Sequence, residues 1–397
     1  MPMNPQATPL PHPLHAHDAL DPVLRQALDT ASALAHEAIG RSDPNPRVGC
    51  VILSPAGQVL GRGSTQRAGS AHAEVAALQT ARAAGAEVRG ATAVVTLEPC
   101  SHQGRTPPCC DALIEAGIVR VVVAAQDPNP RVAGQGIARL RAAGLAVTLL
   151  PPDDPAAVAT RELNIGFFSR MERGRPWVRM KIAASLDGRT ALENGTSQWI
   201  TGEAARRDGH AWRQRAGAVL TGIGTVLEDD PRLDVRLVPT ELQPQRVVVD
   251  SRLEIPPTAR ILAPPGAAWI YTATDTAAAA AGEHAEALGR LGATLIPCPG
   301  PGGKVDLAAL LDDLARREIN ELHLEAGEKL NGSFLKAGLV DELLIYLAPM
   351  LIGSGRGMAG WAPLASLIDG LRFEFRQIER VGSDLRVVAR PAGHAGP

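Results

Sequence analysis

The 397-residue chain has few aromatic residues and no excess of charge of either sign. Aromatic side chains make up only 3% of the sequence, and 40 basic residues nearly balance 42 acidic residues, giving a formal net charge of −2. A protein that acts on single-stranded nucleic acid needs a basic groove and aromatic stacking platforms. The composition therefore argues against nucleic acid as a partner.

The chain also lacks an apolar run long enough to span a bilayer, so we expect no membrane association. Its Pro- and His-rich start has no apolar signal core, and we predict a disordered N-terminal tail over residues 1–19. Five cysteines, two of which are assigned to a metal below, favour a reducing compartment and a cytoplasmic location over a disulfide framework. No Gly-x-Gly-x-x-Gly string opens a βαβ unit, and no Walker lysine motif is present.

The chain does contain an ordered set of metal-binding side chains between His72 and Cys109. His72 and Glu74 form a His-Ala-Glu string, Cys100 ends a Glu-Pro-Cys string, and Cys109 ends a Pro-Pro-Cys string. One His and two Cys suit a catalytic zinc site whose fourth position is open to water. In zinc deaminases a Glu that does not bind the metal moves the protons. We therefore predict His72, Cys100 and Cys109 as zinc ligands and Glu74 as the catalytic proton carrier.

A closed structural zinc site is the alternative, because Cys110 could supply a fourth ligand. Adjacent residues rarely both reach one metal, so we interpret Cys110 as a bystander. The Ala-rich run after Ser70 predicts a helix with His72 and Glu74 in its first turn, and the β-branched run ATAVVTLEPC predicts a strand that delivers Cys100. A non-enzymic zinc-binding protein and a nucleic-acid base deaminase remain the competing function classes.

Helical and strand patterns alternate over residues 20–174 and predict a three-layer α/β/α domain. Near its end, the run RELNIGFFSRMERGRP predicts one helix followed by an Arg/Gly/Pro joint. We place the domain boundary near Gly174, because strand and helix patterns begin afresh at Trp177.

The spacing of the two predicted cysteine ligands resembles that of a known family. The string EPCSHQGRTPPC has eight residues between the cysteines, where the common deaminase signature has two. Together with PNPRVGCVI at 44–52 and DPNPRVAGQGI at 127–137, it resembles the deaminase half of the bifunctional riboflavin-biosynthesis enzymes of the RibD/RibG family. The resemblance implies a cytidine-deaminase-like fold with substrate contacts at Asn45, His102, Arg105, Asp127 and Asn129. From the residues alone, Asn45 in a Pro-flanked turn is also compatible with simple turn chemistry.

The second half, residues 175–397, resembles the reductase half of the same family through KIAASLDGRTA, SQWIT, GTVLEDDPRL and LEAG. The resemblance implies a dihydrofolate-reductase-like α/β domain that uses NADPH. It implies cofactor contacts at Ala183, Trp199, Thr225, Asp229, Ser251 and a loop made of Gly327, Glu328, Lys329, Leu330, Asn331, Gly332 and Ser333. It implies substrate contacts at Ser197, Arg213, Leu233, Arg236 and Glu325. The residues alone indicate less, because a glycine after a strand, such as Gly222 or Gly224 in the predicted Gly-rich loop, is most often part of a turn.

Taken over both halves, the resemblance implies two reactions on a small phosphoribosyl pyrimidine. The first is the zinc-dependent hydrolytic deamination of 2,5-diamino-6-ribosylamino-4(3H)-pyrimidinone 5′-phosphate. The second is the NADPH-dependent reduction of 5-amino-6-(5-phosphoribosylamino)uracil to its ribitylamino product. We also expect a homo-oligomer.

Overall fold

The computed structural model describes residues 20–104, 106–130, 132–263, 267–274, 282–360 and 363–393. The predicted tail, residues 1–19, and the predicted substrate residue Arg105 lie outside the described residues. Within the described ranges, none of the helices combines the length and the hydrophobicity that crossing a membrane requires.

The first half forms a five-stranded sheet in the order β2-β1-β3-β4-β5. Its strands are β1 (Gly49–Leu53), β2 (Val59–Ser64), β3 (Thr92–Leu97), β4 (Arg120–Ala125) and β5 (Ala146–Leu149). Its helices are α1 (Pro22–His36), α2 (Ala73–Ala83), α3 (Cys109–Glu115), α4 (Gln135–Ala142), α5 (Pro155–Leu163) and α6 (Ile165–Arg173). Strand β1 is antiparallel to both neighbours, whereas β3, β4 and β5 run parallel.

Side chains that alternate along the strands give this sheet two apolar faces, because successive residues of a strand point to opposite sides. Val94 and Val122 pack with α1 and α5 in one core cluster. Val95 and Val123 pack with α2, α3, α4 and α6 in the other. This arrangement confirms the predicted three-layer, cytidine-deaminase-like architecture.

The prediction of one helix before the domain boundary is wrong, because Asn164 divides that segment into α5 and α6. The Asn164 side chain is buried and bonds the backbone of Arg47 twice. Its Oδ1 accepts from the Arg47 N–H at 2.7 Å, and its Nδ2 donates to the Arg47 carbonyl at 2.9 Å. Asn164 therefore ties the helix break to the loop in front of β1.

The second half is built on a nine-stranded sheet in the order β11-β10-β9-β8-β12-β6-β13-β16-β15 and a separate pair, β7 with β14. The first five of these strands in the chain are β6 (Trp177–Ser185), β7 (Arg189–Leu192), β8 (Ala218–Gly222), β9 (Gln245–Val249) and β10 (Ala268–Thr272). The others are β11 (Thr294–Pro297), β12 (Glu321–Leu324), β13 (Glu342–Ala348), β14 (Gly355–Gly357), β15 (Phe373–Val381) and β16 (Asp384–Pro391). Neighbours from β11 to β13 run parallel, and β13, β16 and β15 pair antiparallel.

Helices cover both faces of the large sheet. They are α7 (Glu203–Arg215), α8 (Ile223–Asp229), α9 (Glu283–Arg290), α10 (Leu307–Arg316) and α11 (Glu328–Lys336). Helices α10 and α11 pack on one core cluster with β6, β8 and β12, while α8 and α9 pack on a second. The mixed sheet with flanking helices is the dihydrofolate-reductase-like arrangement that we predicted for this half.

Two predicted glycine-rich loops are helical in the structure. The GIGTVLEDD segment forms α8, with Gly222 as its N-cap, and Gly327 is the N-cap of α11, so Glu328 to Ser333 are helical. Tertiary packing explains the second difference, because Phe334 and Leu335 of α11 are buried in the core and hold a segment of modest helix propensity in place.

The two halves meet at Arg47, whose side chain is buried. Its guanidinium donates to Glu321 Oε1 at 2.6 Å and to the carbonyls of Leu163 at 2.9 Å and Arg215 at 2.5 Å. Glu321 opens β12 and Arg215 ends α7, so one side chain from the first half joins two elements of the second.

Candidate active sites

The predicted zinc ligands come from the ends of three elements. His72 is the N-cap of α2 with an extended backbone, Cys100 follows β3, and Cys109 is the first residue of α3. Glu74 lies in the first turn of α2 and is 4% exposed. Buried carboxylates without a cation partner are rare in proteins, so the position of Glu74 beside these three residues suggests a chemical role.

The ligand atoms converge on one point. His72 Nδ1 lies 3.3 Å from Cys109 Sγ and 3.6 Å from Cys100 Sγ, and all three ligand atoms lie within 4.8 Å of one another. An imidazole nitrogen and two thiolates are ligands that zinc prefers, at metal–ligand distances of about 2.0–2.3 Å. The residues present therefore fit a three-coordinate protein site for zinc.

The electrostatics of the site reflect this close packing. A hydrogen bond from Cys109, with His72 beside it, lowers the pKa of Cys100 to about 4. The hydrogen bond with Cys100 raises the pKa of His72, and burial together with the Cys100 charge raises the pKa of Glu74. The site thus already favours one thiolate, the form that binds metal.

Cys110 lies outside the group that could hold a metal ion. Its Sγ donates to the carbonyls of Pro99 at 3.3 Å and Gly136 at 3.5 Å. Burial raises the pKa of Cys110 to about 12, which disfavours a thiolate. These contacts agree with its interpretation as a bystander.

Three predicted substrate residues of the first half, Asn45, Asp127 and Asn129, lie at one edge of the five-stranded sheet. Antiparallel pairing brings the start of β1 beside the end of β3, and parallel pairing brings the end of β4 to the same edge. Asn45 precedes β1, Cys100 follows β3, and Asp127 and Asn129 follow β4. Ligands bind at such carboxyl-terminal edges in open α/β sheets.

Two of these substrate candidates differ in exposure. His102 is exposed in the loop between the two cysteines, whereas Asp127 is 7% exposed. Burial raises the pKa of Asp127 to about 7, although its Oδ1 accepts from the Asn129 N–H at 2.7 Å. Asp127 is thus buried, whereas His102 is exposed to solvent.

The second half has a cleft of about 1410 Å³ at the carboxyl ends of its central parallel strands. The predicted cofactor residues on this cleft are Ala183, Trp199, Thr225, Asp229, Ser251, Gly327, Glu328, Lys329, Leu330, Asn331 and Ser333. The predicted substrate residues on it are Ser197, Arg213, Leu233, Arg236 and Glu325. Gly332 is absent from the lining, since it packs where an added Cβ would lie 1.9 Å from the carbonyl oxygen of Gly360.

A charged cluster around Glu325 forms part of this cleft. Arg213 forms a bidentate pair with the Glu325 carboxylate, Lys181 Nζ lies 3.7 Å from Oε2, and His323 Nε2 lies 3.3 Å from Oε1. Burial alone would raise the pKa of Glu325, but Arg213 and Lys181 hold it well below its usual range. The cluster is a fixed array of donors and acceptors suited to a polyhydroxylated substrate.

Lys181 was not among the predicted site residues. Its side chain lines the cleft, and burial lowers its pKa although Glu325 opposes the shift. The only sequence signal was that Lys181, like Arg179, is a charged residue within the largely apolar run of β6, where a buried charge rarely lacks a partner.

The cleft has features that fit a dinucleotide phosphate. The N-terminus of the nine-residue helix α11 lies on it at Gly327, where free backbone N–H groups favour an anion. A Cβ on Gly224 would meet nothing within 4 Å, so the backbone there is open to close approach. These residues therefore fit NADPH as the cofactor of this half.

Two family models match the chain. The model described as the cytidine and deoxycytidylate deaminase zinc-binding region matches residues 23–125, and the model described as the RibD C-terminal domain matches residues 176–387. The first range contains the zinc candidates, and the second contains the cleft.

Whole-length relatives match both halves at once. The riboflavin biosynthesis protein RibD of Escherichia coli is 45% identical over 370 residues, which cover 89% of this chain and 96% of the relative. The RibD structure from Acinetobacter baumannii has 38% identity and a TM-score of 0.82, with 93% of this chain and 99% of that chain covered.

A second solved structure that resembles this chain comes from Thermotoga maritima. It is described as a diaminohydroxyphosphoribosylaminopyrimidine deaminase/5-amino-6-(5-phosphoribosylamino)uracil reductase. It is 30% identical with a TM-score of 0.81, and the match covers 93% of this chain and 99% of that chain. Similarity over this length includes both sheets and both sites. The chain therefore belongs to the RibD family of bifunctional riboflavin-biosynthesis enzymes, with a zinc-dependent deaminase half and an NADPH-dependent reductase half.

Proposed function

We propose that this enzyme removes the 2-amino group of 2,5-diamino-6-ribosylamino-4(3H)-pyrimidinone 5′-phosphate and then reduces the ribosyl group of the product to a ribityl chain. The observation that most strongly supports this is the convergence of His72, Cys100 and Cys109 beside the buried Glu74, in a chain that also has the cleft around Glu325. The division into a deaminase domain at 20–174 and a reductase domain at 175–397 is part of the proposal.

In the first reaction, zinc held by the three ligands supplies the Lewis-acid chemistry that makes water nucleophilic near neutral pH. Glu74 takes a proton from the attacking water and gives it to the ring nitrogen, and it then carries the proton of the new hydroxyl group to the amino group, which leaves as ammonia. Its burial keeps it away from competing bulk water. Asn45, His102, Arg105, Asp127 and Asn129 are the proposed contacts to the pyrimidine and its phosphate.

In the second reaction, bound NADPH would supply the hydride that reduces C1′ of the opened sugar. The proposed cofactor contacts are Ala183, Trp199, Thr225, Asp229, Ser251 and Gly327 to Ser333. Glu325, held by Arg213 and Lys181, offers an ionised acceptor to the sugar hydroxyls. Ser197, Leu233 and Arg236 are proposed to complete the substrate contacts.

Incubation of the zinc-loaded enzyme with the diaminopyrimidine and NADPH tests the proposal. Ammonia release and loss of absorbance at the nicotinamide band should both occur, in a ratio of about one to one at completion. Ammonia release without NADPH loss would leave only the deaminase assignment, and NADPH loss without ammonia only the reductase assignment.

We also propose that the enzyme forms a homo-oligomer in the cytoplasm. All five cysteines are free thiols, as expected in a reducing compartment.

Among the described strands, β15 is at one edge of the large sheet, and it exposes Phe375 and Ile378. If β15 of a second copy paired antiparallel with β15 of the first, with the two Gln377 residues opposite each other, Glu374 of each copy would lie opposite Arg380 of the other. This pairing of opposite charges favours a self-complementary contact. Sedimentation of the wild type and of Ile378→Glu would show whether this edge is the interface.

A further inference from the structure

Glu98 is a buried carboxylate to which the mechanism above gives no role. It lies two residues before Cys100 and is 4% exposed. Its Oε2 accepts from the N–H of Asp127 at 3.2 Å and of Gly134 at 3.0 Å, and its Oε1 accepts from the N–H of Ile137 at 3.1 Å. All three donors are backbone groups from the loop after β4 and the start of α4.

These bonds fasten the segment 127–137 at both ends. The loop is also folded on itself, because the N–H of Asn129 donates to Asp127 Oδ1 at 2.7 Å and the N–H of Val132 donates to the Asn129 carbonyl at 2.8 Å. Glu98 therefore fixes Asp127 and the start of α4 relative to the sheet, and with them the neighbourhood of two proposed substrate contacts, Asp127 and Asn129.

The start of α4 is packed closely against the backbone that precedes the predicted zinc ligand Cys100. A Cβ on Gly136 would lie 2.0 Å from the Pro99 carbonyl oxygen and 3.1 Å from Glu98 Oε1. Cys110 Sγ bridges this contact by donating to the carbonyls of both Pro99 and Gly136. Glu98 and Pro99 thus contact the loop after β4 and the start of α4, and they directly precede the predicted zinc ligand Cys100.

We propose that Glu98 is a positioning residue for deamination, and that its carboxylate sets the spacing between the zinc ligands and the loop of Asp127 and Asn129 that binds the pyrimidine. The proposal rests on the proposed deaminase function. Glu98 touches no reacting atom in this account, so its loss should weaken substrate binding rather than proton transfer.

Glu98→Gln is the informative substitution because it keeps the size of the side chain. A carboxylate offers two acceptor oxygens to the three N–H donors, whereas an amide replaces one oxygen with an NH₂ group that faces a donor. At least one backbone N–H then loses its partner in a buried place, which is unfavourable. The loop should shift or loosen in response.

The experiment uses the full-length, zinc-loaded enzyme and compares wild type, Glu98→Gln and the matched control Glu115→Gln, an exposed glutamate on α3. For Glu98→Gln we expect the KM of ammonia release to rise by about tenfold or more, with kcat within about threefold and one zinc per chain. Reduction of the deaminated pyrimidine by the same preparation should be unchanged, which reports that the chain is folded. Glu115→Gln should match wild type throughout.

Hydrogen exchange at the amides of Asp127, Gly134 and Ile137 gives a readout independent of activity. These amides should exchange faster in Glu98→Gln and not in Glu115→Gln. An unchanged KM, a fall in kcat at constant KM, or loss of zinc would each overturn the proposal. If wild type releases no ammonia, the proposed function fails, and the exchange rates still decide whether Glu98 holds the loop. Glu98→Asp, which keeps the charge but shortens the reach, replaces Glu98→Gln if the latter does not fold.

Discussion

At the scale of single residues, we propose that Glu74 transfers protons and that its neighbours His72, Cys100 and Cys109 bind the metal. Glu74→Gln keeps the shape of the side chain but cannot exchange protons. We expect deamination to fall by at least about 100-fold, since positioned acid–base groups contribute about 10²–10⁴ in rate. Ammonia release measured with zinc content establishes this, and reductase activity of the same sample is the control. Deamination within tenfold of wild type at full zinc content would remove Glu74 from this role.

The cysteines provide a second test at the residue scale. Cys100→Ser and Cys109→Ser should lose zinc, because each removes a sulfur ligand that faces His72 Nδ1. Cys110→Ser should keep zinc, because its thiol faces two backbone carbonyls and Ser can donate to the same acceptors. Metal analysis of the three purified variants decides the matter. Equal loss of zinc in Cys110→Ser and Cys109→Ser would mean that the ligand set is wrong.

Residue types and spacing were sufficient to predict the zinc candidates, because His72, Glu74, Cys100 and Cys109 lie within one segment and each has few alternative uses. Glu98 and Lys181 could not be predicted in the same way. Their partners are remote in the chain: Glu98 bonds a loop about 30 to 40 residues away, and Lys181 meets Glu325 from a different strand. A role that depends on long-range pairing has no local pattern.

At the scale of elements, helix α7 brings Arg213 into the reductase cleft from its last turn. Arg213→Ala removes the cationic partner of Glu325 and a donor that we propose for the substrate. We expect the KM for the deaminated pyrimidine to rise by about tenfold or more, as charge-assisted hydrogen bonds contribute about 1.5–3 kcal/mol. Ammonia release should be unchanged. Steady-state kinetics of both reactions with each variant measure this.

Arg207→Ala is the matched control for this prediction. Arg207 lies on the same helix, is exposed and is not among the residues that line the cleft. Its loss should leave both reactions close to wild type. A similar rise in KM for Arg207→Ala would point to a general effect on α7, and an unaltered KM for Arg213→Ala would contradict its substrate role.

Strands were easier to predict than glycine-rich segments at this scale. The β-branched runs of β4 and β9 are typical of buried parallel strands, and the structure has strands at both places. The family resemblance implies a loop at Gly327 to Ser333, and the Asn, Gly and Ser in this segment are weak helix formers. Its helicity follows from the burial of Phe334 and from the close packing of Gly332 on Gly360, neither of which local propensity reveals.

At the scale of the whole molecule, the two halves share a buried ionic contact. Glu321 accepts from Arg47 of the first half and from Arg179 and Arg215 of the second. Burial alone would raise the pKa of Glu321, but these arginines hold it well below its usual range. The halves are therefore joined by more than the chain segment near Gly174.

Arg47→Ala should destabilise the chain as a whole. Removing one member of a buried ionic contact costs about 3–5 kcal/mol, because the remaining groups stay buried with their charges imbalanced. Urea denaturation measures the free energy of unfolding. The control is Arg25→Ala, which removes a pair with Asp154 at 2.9 Å whose arginine is 36% exposed and which we expect to be worth about 1 kcal/mol or less. Equal, small losses in both variants would show that the Arg47 contact contributes little.

The central claim is that one chain deaminates the ring and then reduces the sugar of the same molecule. The most direct measurement is to supply the diaminopyrimidine with NADPH deuterated at the transferred position, using wild type and Glu74→Gln, and to locate the label by mass spectrometry and NMR. Wild type should release ammonia and place one deuterium at C1′ of the ribityl product. Glu74→Gln should give neither from this substrate, yet should label C1′ when it receives the deaminated pyrimidine. Deuterium at another carbon, or labelling of the undeaminated substrate by Glu74→Gln, would contradict the account.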